Sequence, residues 1–265
     1  MPNPNQPPPR PPTLRGTAPP GLYGFEDETG AQVVGGEGII PLLKLVEDGQ
    51  YKLIGTGFFI ASSGVFATAK HVLLSAYDRG HPIFTWQLIP PNQWFIRPII
   101  QFSYHDIADV AIGVSSLAAH EETGELLVDT RVRLTTRVPA IGEIVATYAY
   151  PNSLLQTVEG GQVLSFSPQF YEGRIVEYLP TGRDRVILPG PCYRTDMIIH
   201  RGASGGPVAE QTGRVIGINS TGFDGTDDFY FSRIEEILEL EIITEGNDRI
   251  TIHQLANEGT VTVDP

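Results

Sequence analysis

One segment of the chain places a serine within a run of glycines, a setting in which a serine hydroxyl can act as a nucleophile. The segment is His200-Arg201-Gly202-Ala203-Ser204-Gly205-Gly206-Pro207-Val208. It contains too many glycines for a helix interior or a regular strand. Its backbone can turn the N–H groups of Gly202 and Ser204 toward one point, where they would stabilise a developing oxyanion. A serine hydroxyl is a weak nucleophile without a base, so this interpretation requires a histidine oriented by a carboxylate.

A histidine and two aspartates lie upstream in suitable positions. The pattern of residues 55–72 predicts a strand, a turn and a second strand that ends at His71. Asp106 and Asp109 both lie in the segment HDIADVAI, but only Asp109 leads directly into an apolar strand. A carboxylate at that strand start can be buried and accept an imidazole N–H. We therefore favour Asp109 as the orienting carboxylate and keep Asp106 as the alternative.

Three motifs in the order His, Asp, Ser resemble those of the chymotrypsin-like (trypsin-fold) serine peptidases. The motif GASGGP at 202–207 is similar to their GDSGGP, TAKHV at 68–72 to TAAHC, and DVAI at 109–112 to DIAL. Residues 195–207 also resemble the disulfide-free bacterial HtrA-like members. The resemblance covers about 39–240. It implies a serine endopeptidase with Ser204 as nucleophile, His71 as base, Asp109 as orienting acid and no cofactor, acting on protein or peptide substrates.

The resemblance also implies an all-β fold of two six-stranded antiparallel Greek-key barrels with a short C-terminal helix. We predict a Pro-rich disordered tail at 1–33, a peptidase domain at 34–240 and a C-terminal extension at 241–265. Barrel one would occupy about 34–116 and barrel two about 135–232. Patterns of branched and aromatic residues predict strands, among them 185–188 and 197–199 in the second barrel. The extension is expected to form a hairpin from 249–254 and 260–263.

Composition limits the classes of function. The formal net charge of −13 disfavours nucleic-acid binding, because phosphate recognition needs a basic surface. The single cysteine, Cys192, excludes an internal disulfide and is expected to be a small buried side chain. No run approaches the roughly 18 apolar residues of a membrane span, and the polar N-terminus lacks the apolar core of a secretory signal. We therefore expect a cytoplasmic protein that contacts neither nucleic acid nor membrane.

Two departures from the resembled family bear on activation. The segment Val33-Val34-Gly35-Gly36 is similar to the IVGG at the new N-terminus of activated trypsin. In that family the freed amine pairs with the Asp before the catalytic serine, and Ala203 stands at that position here. Without a carboxylate there is no ion pair, so we predict that cleavage before Val33 does not switch the enzyme on. A regulatory protein partner, or ordering of the oxyanion loop, would then restrain activity.

The resemblance also locates a substrate pocket beside Ser204. Its predicted walls are Ile198, Ile199, Ser220, Thr221, Gly222 and Phe229. No aspartate marks a preference for Lys or Arg, so this mostly apolar pocket predicts a small or medium apolar residue at the cleavage site. His200 and Arg201 at the rim leave open a preference for an acidic residue.

A non-enzymatic role remains as the alternative function: a catalytically latent or inactive peptidase fold can bind an extended peptide or a protein partner by strand addition. The complete set of His71, Asp109 and Ser204 favours the enzyme, because a binding module does not need all three. We expect no metal site. The acidic segment 224–228 is interpreted as a surface turn, since it lacks the full spacing of an EF-hand loop.

Overall fold

The computed structural model describes residues 24–33, 35–47, 49–89, 93–119, 124–151, 154–158, 161–165, 168–200, 202–222 and 228–265. Their main elements are β-strands, twelve of which close into two antiparallel barrels. The predicted all-β fold is therefore confirmed. The described helices are all too short or too polar to pass through a bilayer. The predicted turn at 224–228 lies largely outside the described residues.

The first barrel consists of six strands around a tightly packed apolar interior. They are β1 (Ile39–Leu45), β2 (Tyr51–Phe59), β3 (Val65–Thr68), β4 (Ile83–Ile89), β5 (Gln93–Tyr104) and β6 (Ala111–Ser115), closed in the order β1-β2-β3-β6-β5-β4. The side chains of Phe58, Phe66 and Ile112 are completely buried. Gly113 is required where β6 passes Phe66, because a methyl group there would overlap the phenyl ring. Helix α1 (Lys70–Tyr77) follows β3 and packs Val72 and Leu73 against the barrel.

The second barrel also closes from six strands. They are β8 (Ile144–Ala149), β11 (Gln169–Leu179), β12 (Cys192–Thr195), β13 (Pro207–Ala209), β14 (Val215–Gly222) and β15 (Phe229–Arg233). The pairing of β13 with β14 completes the circle. Strands β9 (Leu154–Val158) and β10 (Gly161–Ser165) form a separate hairpin. Strand β7 (Leu134–Thr135) adds to β14 in parallel at the edge of the sheet.

Two buried polar contacts join segments of the chain that are distant in the sequence. The hydroxyl of the fully buried Tyr150, at the end of β8, donates to the Ile39 carbonyl of β1 at 2.6 Å. Arg97 of β5 pairs with Asp129 of the inter-barrel connector at 2.6 Å, and both side chains are almost completely buried. Removing one partner of such a pair leaves an uncompensated buried charge, which typically costs about 3–5 kcal/mol. The first contact joins the two barrels, and the second fastens the connector to the first barrel.

Two predicted strands of the second barrel are wrong, and one real strand was missed. The segment 185–188 bends because the Asp184 carboxylate accepts the N–H groups of Val186 (2.8 Å) and Ile187 (2.7 Å), which takes them out of any ladder. The segment 197–199 is also irregular. The missed strand is β12, which pairs with β11 and β15. It ends at Thr195 because the next side chain, Asp196, accepts the Arg174 N–H of β11.

The last ten residues of the predicted N-terminal tail, 24–33, are folded onto the barrels. Phe25 and Val33 are almost completely buried, at 1% and 3% exposure. The Val33 N–H donates to the Phe25 carbonyl at 2.8 Å, and the Glu26 N–H to the Gly213 carbonyl at 2.9 Å. The prediction assigned 24–33 to the tail because prolines dominate the residues before them. In the structure, burial of the Phe25 and Val33 side chains holds this segment against the barrels. The rest of the predicted tail lies outside the described residues.

In the C-terminal region, the strands pair with segments other than those that the sequence predicted. The helix expected after β15 is a single 3-10 turn, Ile234–Ile237. Strand β17 (Arg249–Thr251) pairs with β16 (Glu241–Ile243), not with 260–263. Between them and the C-terminus lies helix α2 (Ile252–Asn257), which Thr251 and Gln254 begin with a reciprocal capping box. Strand β18 (Val263–Asp264) then adds to β7 in parallel, and Arg133 binds the Asp264 carboxylate at 2.6 Å.

Candidate active site

The position of His71 follows from the junction between β3 and α1. All four residues of β3 are buried, and the strand ends at Thr68, whose hydroxyl donates to the Thr56 carbonyl at 2.7 Å. Ala69 is extended, and α1 begins at Lys70. Because the apolar side chains of α1 face the barrel, the second residue of the helix points outward. The His71 side chain is 48% exposed and therefore accessible to a substrate.

The His71 ring is bonded to Asp109, one of the two aspartates that the sequence offered. His71 Nδ1 lies 2.8 Å from Asp109 Oδ2, and the His71 backbone N–H donates to Asp109 Oδ1 at 3.0 Å. Both carboxylate oxygens thus bind the same residue, and the Asp109 side chain is only 8% exposed. Asp106 is exposed and takes part through its backbone carbonyl, which accepts from Lys70 Nζ at 2.8 Å.

Asp109 also sets the protonation behaviour of His71. Burial lowers the pKa of His71, but the hydrogen bond and the negative charge of Asp109 outweigh that effect, so the pKa lies above the ordinary value of 6.5. An Nδ1–H that donates to a carboxylate leaves Nε2 with its lone pair free. This is the arrangement that a general base requires.

The segment that carries Ser204 packs directly against the strand and turn that precede His71. The Ser204 carbonyl accepts the Thr56 N–H at 2.8 Å, and the Gly205 N–H donates to the Asn219 carbonyl at 2.7 Å. Gly205 has φ +86°, and a methyl group at this position would overlap the Thr56 carbonyl and lie 3.1 Å from the Ala69 nitrogen. Only glycine satisfies both the backbone angle and the close approach. The glycine therefore brings the serine segment against Ala69, two residues before His71.

The two predicted oxyanion donors lie in consecutive turns, since Ser204 belongs to the turn that the Gly206 N–H closes on the Ala203 carbonyl at 3.1 Å. Gly202 has φ +96°, and the Ala203 N–H donates to the His200 carbonyl at 3.3 Å. Glycine adopts such a positive φ without the steric cost that a side chain would bring. The Ala203 side chain is buried, with 2% exposure. The position that holds a carboxylate in trypsin is therefore occupied here by a buried methyl group.

Sequence reasoning missed Thr56, which joins the oxyanion turn to both barrels. Its side chain is fully buried. Its hydroxyl donates to the Gly202 carbonyl at 3.2 Å and accepts the Tyr150 N–H at 3.3 Å. The only local signal was a threonine between two glycines, Gly55 and Gly57, in an otherwise apolar strand.

The six predicted pocket residues have different surroundings. Thr221 lines a cavity next to His71. Gly222 pairs with Phe229, whose ring leaves no room for a side chain at Gly222. Ser220 is buried, and its hydroxyl lies 3.1 Å from that of Ser232. Ile199 packs against the core of the second barrel, while Ile198 is 65% exposed.

The cavity beside His71 has a volume of about 440 Å³ and mainly apolar walls that the sequence did not reveal. Its walls include Leu74, Ile107, Val186, Ile187, Pro189 and Thr221. Val186 and Ile187 are 86% and 53% exposed, held outward by the turn around Asp184. Exposed apolar residues at the rim of a cavity are typical of a binding surface.

Two further titratable residues, His200 and Cys192, have other contacts. His200, which the sequence placed at the pocket rim, lies with its Nδ1 3.0 Å from the Tyr171 hydroxyl, and Arg201 lies outside the described residues. Burial raises the pKa of the Cys192 thiol to about 11, so at neutral pH it is an uncharged buried group. Within the described part of the chain, no three His, Cys, Asp or Glu side chains are grouped so as to bind a metal ion.

The family model of the trypsin-like peptidase domain matches residues 55–218, a range that includes His71, Asp109 and Ser204. The chain belongs to this family. The serine endoprotease DegS of Escherichia coli is 35% identical over 92 residues, which is 35% of this chain and 22% of DegS. DegS of Salmonella typhimurium is 34% identical over 94 residues, 36% of this chain and 23% of DegS. The aligned region thus spans less than a quarter of these curated relatives.

Several solved structures share the fold of this trypsin-like domain. Deg5 superposes with a TM-score of 0.51 at 17% identity, over 76% of this chain and 85% of Deg5. Rv3671c from M. tuberculosis superposes with a TM-score of 0.52 at 20% identity, over 84% of this chain and 87% of that chain. The HtrA-type protease AlgW gives 0.52 at 15% identity, over 76% and 62%. These similarities support the two-barrel architecture.

Proposed function

We propose that this chain is a serine endopeptidase that hydrolyses peptide bonds through an acyl-enzyme, with Ser204, His71 and Asp109 as its triad. The observation that carries the proposal is the bond between His71 Nδ1 and Asp109 Oδ2, 2.8 Å long, in a chain of the trypsin-like peptidase family. That bond orients the imidazole and leaves Nε2 free to accept a proton. The contact of the Ser204 segment with Thr56 and Ala69 further supports the proposal.

In the first half of the reaction, the Ser204 oxygen attacks the substrate carbonyl carbon while its proton passes to His71 Nε2. The carbonyl oxygen becomes an oxyanion, which the N–H groups of Gly202 and Ser204 stabilise. Asp109 stays ionised and compensates the positive charge that forms on the imidazole. The tetrahedral intermediate then collapses, the C–N bond breaks, and His71 returns the proton to the departing amine. An ester between Ser204 and the acyl half of the substrate remains.

In the second half, water repeats the same steps. It attacks the ester carbonyl and gives a proton to His71 Nε2, and the Ser204 oxygen leaves and takes that proton back. The products are an amine and a carboxylic acid, and the enzyme returns to its starting state. The apolar walls beside His71 support a preference for apolar substrate residues near the cleaved bond.

Labelling with a fluorophosphonate probe tests this function directly. The probe phosphonylates a serine only when a base removes its proton, so we expect labelling of the wild-type chain and none of Ser204→Ala. A matched control is Ser75→Ala, which removes another exposed hydroxyl at the cavity rim and should leave labelling intact. Cleavage of a peptide library, read by mass spectrometry, then reports the preferred residues. A folded wild-type protein that neither labels nor cleaves would instead favour the peptide-binding module.

A further inference from the structure

The loop that carries Asp109 is built around one histidine side chain. It connects β5 to β6, and His105 is its first residue. His105 Nδ1 lies 3.1 Å from the Ile107 nitrogen and 2.8 Å from the Ala108 nitrogen, so it accepts both backbone N–H groups. The His105 N–H in turn donates to the Val110 carbonyl at 3.0 Å. These three bonds hold the backbone on both sides of Asp109.

A second side chain ties the same loop to the helix that carries His71. Lys70 Nζ donates to the carbonyls of His105 and Asp106, each at 2.8 Å. Its ammonium group also lies 5.4 Å from the centre of the Tyr104 ring, within the range of a cation–π interaction. Lys70 immediately precedes His71, so the loop of the acid and the helix of the base are bonded to each other beside the His71–Asp109 contact.

The contacts of His105 determine its tautomer. A ring nitrogen that accepts two N–H groups carries no proton, so the proton of the neutral ring is on Nε2. His105 Nε2 lies 3.6 Å from Glu236 Oε2, on the 3-10 turn after β15. The carboxylate therefore favours the tautomer that the loop requires. A chain segment from beyond the second barrel thus contacts the loop of the acid in the first.

We propose that His105 is a positioning residue for the catalytic acid, acting through the loop backbone to keep the Asp109 carboxylate on His71. The inference rests on the proposed function only in that Asp109 orients the base. Without an acceptor at this position, two backbone N–H groups lose their partner and the loop relaxes toward solvent. The Asp109 oxygens then leave their positions at the His71 N–H and Nδ1, and displacements of about 1 Å cost on the order of a hundredfold in catalysis.

The variants His105→Ala and His105→Asn separate positioning from simple packing. An asparagine oxygen at the start of a loop accepts the N–H groups two and three residues further on, which is the role of His105 Nδ1 here. We expect His105→Ala to lower kcat about 10- to 100-fold with little change in KM, and His105→Asn to restore kcat close to that of the wild type. His253→Ala removes an exposed histidine on α2 and should have no effect. An equally low kcat for the alanine and asparagine variants would overturn the proposal.

A measurement that needs no turnover distinguishes this inference from the proposed function. In a Ser204→Ala background, the His71 ring is titrated by NMR. We expect His105→Ala to lower the pKa of His71 and His105→Asn to restore it, because the Asp109 contact raises that pKa. An unchanged pKa in folded His105→Ala overturns the positioning role. If the wild type does not hydrolyse peptides, the function fails, but this titration still decides the role of His105.

If His105→Ala does not fold, Lys70→Met provides the same test from the helix side. Methionine keeps an apolar stem beside Tyr104 but loses both bonds to the loop carbonyls. The expected result is a shift of the His71 pKa in the same direction as for His105→Ala. An unchanged His71 pKa in folded Lys70→Met would overturn the idea that these side-chain contacts position the acid.

Discussion

The acid–base half and the nucleophile half of the proposed active site are held by different kinds of contact. Side chains hold the first: His71 binds the Asp109 carboxylate, and Lys70 and His105 bond to the backbone of the acid loop. Backbone groups hold the second: the Ser204 carbonyl and the Gly205 N–H bond to strands of the two barrels. A described side chain, that of Thr56, also joins the nucleophile half, through long bonds of 3.2 and 3.3 Å.

This difference predicts that the two halves respond to different substitutions. A polar side chain can lose its partner through one isosteric change, so the acid–base half is sensitive to changes of charge and of hydrogen-bonding capacity. Backbone bonds survive such changes, so the nucleophile half is sensitive to added atoms where the chain segments touch. The following predictions test this distinction, from the largest expected effect to the smallest.

Asp109→Asn is expected to reduce kcat by about four orders of magnitude. The amide keeps the shape of the carboxylate, but its NH₂ group favours the His71 tautomer with the proton on Nε2, which cannot accept one from Ser204. Asp106→Asn is the matched control in the same loop, because its exposed side chain leaves the backbone bond to Lys70 unchanged. Steady-state kinetics on a cleavable peptide measure both. A large loss for Asp106→Asn with little for Asp109→Asn would reassign the acid.

Gly205→Ala is expected to lower activity about a hundredfold, because the added methyl overlaps the Thr56 carbonyl and moves the serine segment by a fraction of an ångström or more. Gly49→Ala is the control. Gly49 also has a positive φ, +76°, but nothing lies within 4 Å of the added methyl, so only the backbone strain is shared. Equal losses of activity in the two variants would show that strain, not contact at the site, causes the effect.

Thr56→Val is expected to cost about fivefold in kcat, which corresponds to about 1 kcal/mol for the loss of weak hydroxyl bonds. The backbone bond from Thr56 to Ser204 stays in place, so the segment is loosened and not released. Thr85→Val serves as control, since Thr85 is equally buried but its hydroxyl lies near Ser115, in the interior of the first barrel. A loss of a hundredfold or more would mean that this half also depends on a side chain.

The pH dependence of kcat/KM gives the smallest effect. His71 must be neutral to accept a proton, so activity is lost as the pH falls through its pKa. Burial lowers this pKa, but Asp109 raises it by more, and we therefore expect the acid limb to have its midpoint above pH 6.5. Activity measured between pH 5 and 9 at constant ionic strength locates the midpoint. A midpoint below 6.5 would contradict a dominant effect of Asp109.

Local sequence patterns predicted most strands of the first barrel. In the second barrel, weaker patterns predicted two strands that do not form. Strands such as β2 and β6 are runs of branched and aromatic residues between turn residues. Their patterns predict strands at 51–60 and 110–114, within about one residue of the observed bounds. The segments 185–188 and 197–199 have similar apolar residues but form no strand. Asp184 and Asp196 compete there for backbone N–H groups, and the pattern of apolar residues does not report that competition.

The sequence patterns also did not predict the burial of the segment 24–33 or the pairing of the C-terminal strands. Phe25 follows a proline-rich stretch, and the neighbouring Glu26 N–H bonds to the distant Gly213 carbonyl. Strand β18 is two residues long and pairs with Leu134 and Thr135, about 130 positions away. Short strands carry little periodic signal, so such pairings depend on the whole sheet.

The sequence by itself determined which chemistry the chain can perform: a serine among glycines, a histidine after a strand and an aspartate before one, in the order of the trypsin-like family. These signals are local, because each depends on a few neighbouring residues. Only the tertiary structure decided that Asp109 binds His71, that His105 and Lys70 hold the acid loop, and that Thr56 meets Gly202, 146 positions away. Contacts over such separations exist only once both barrels have closed, because closure brings their edges together.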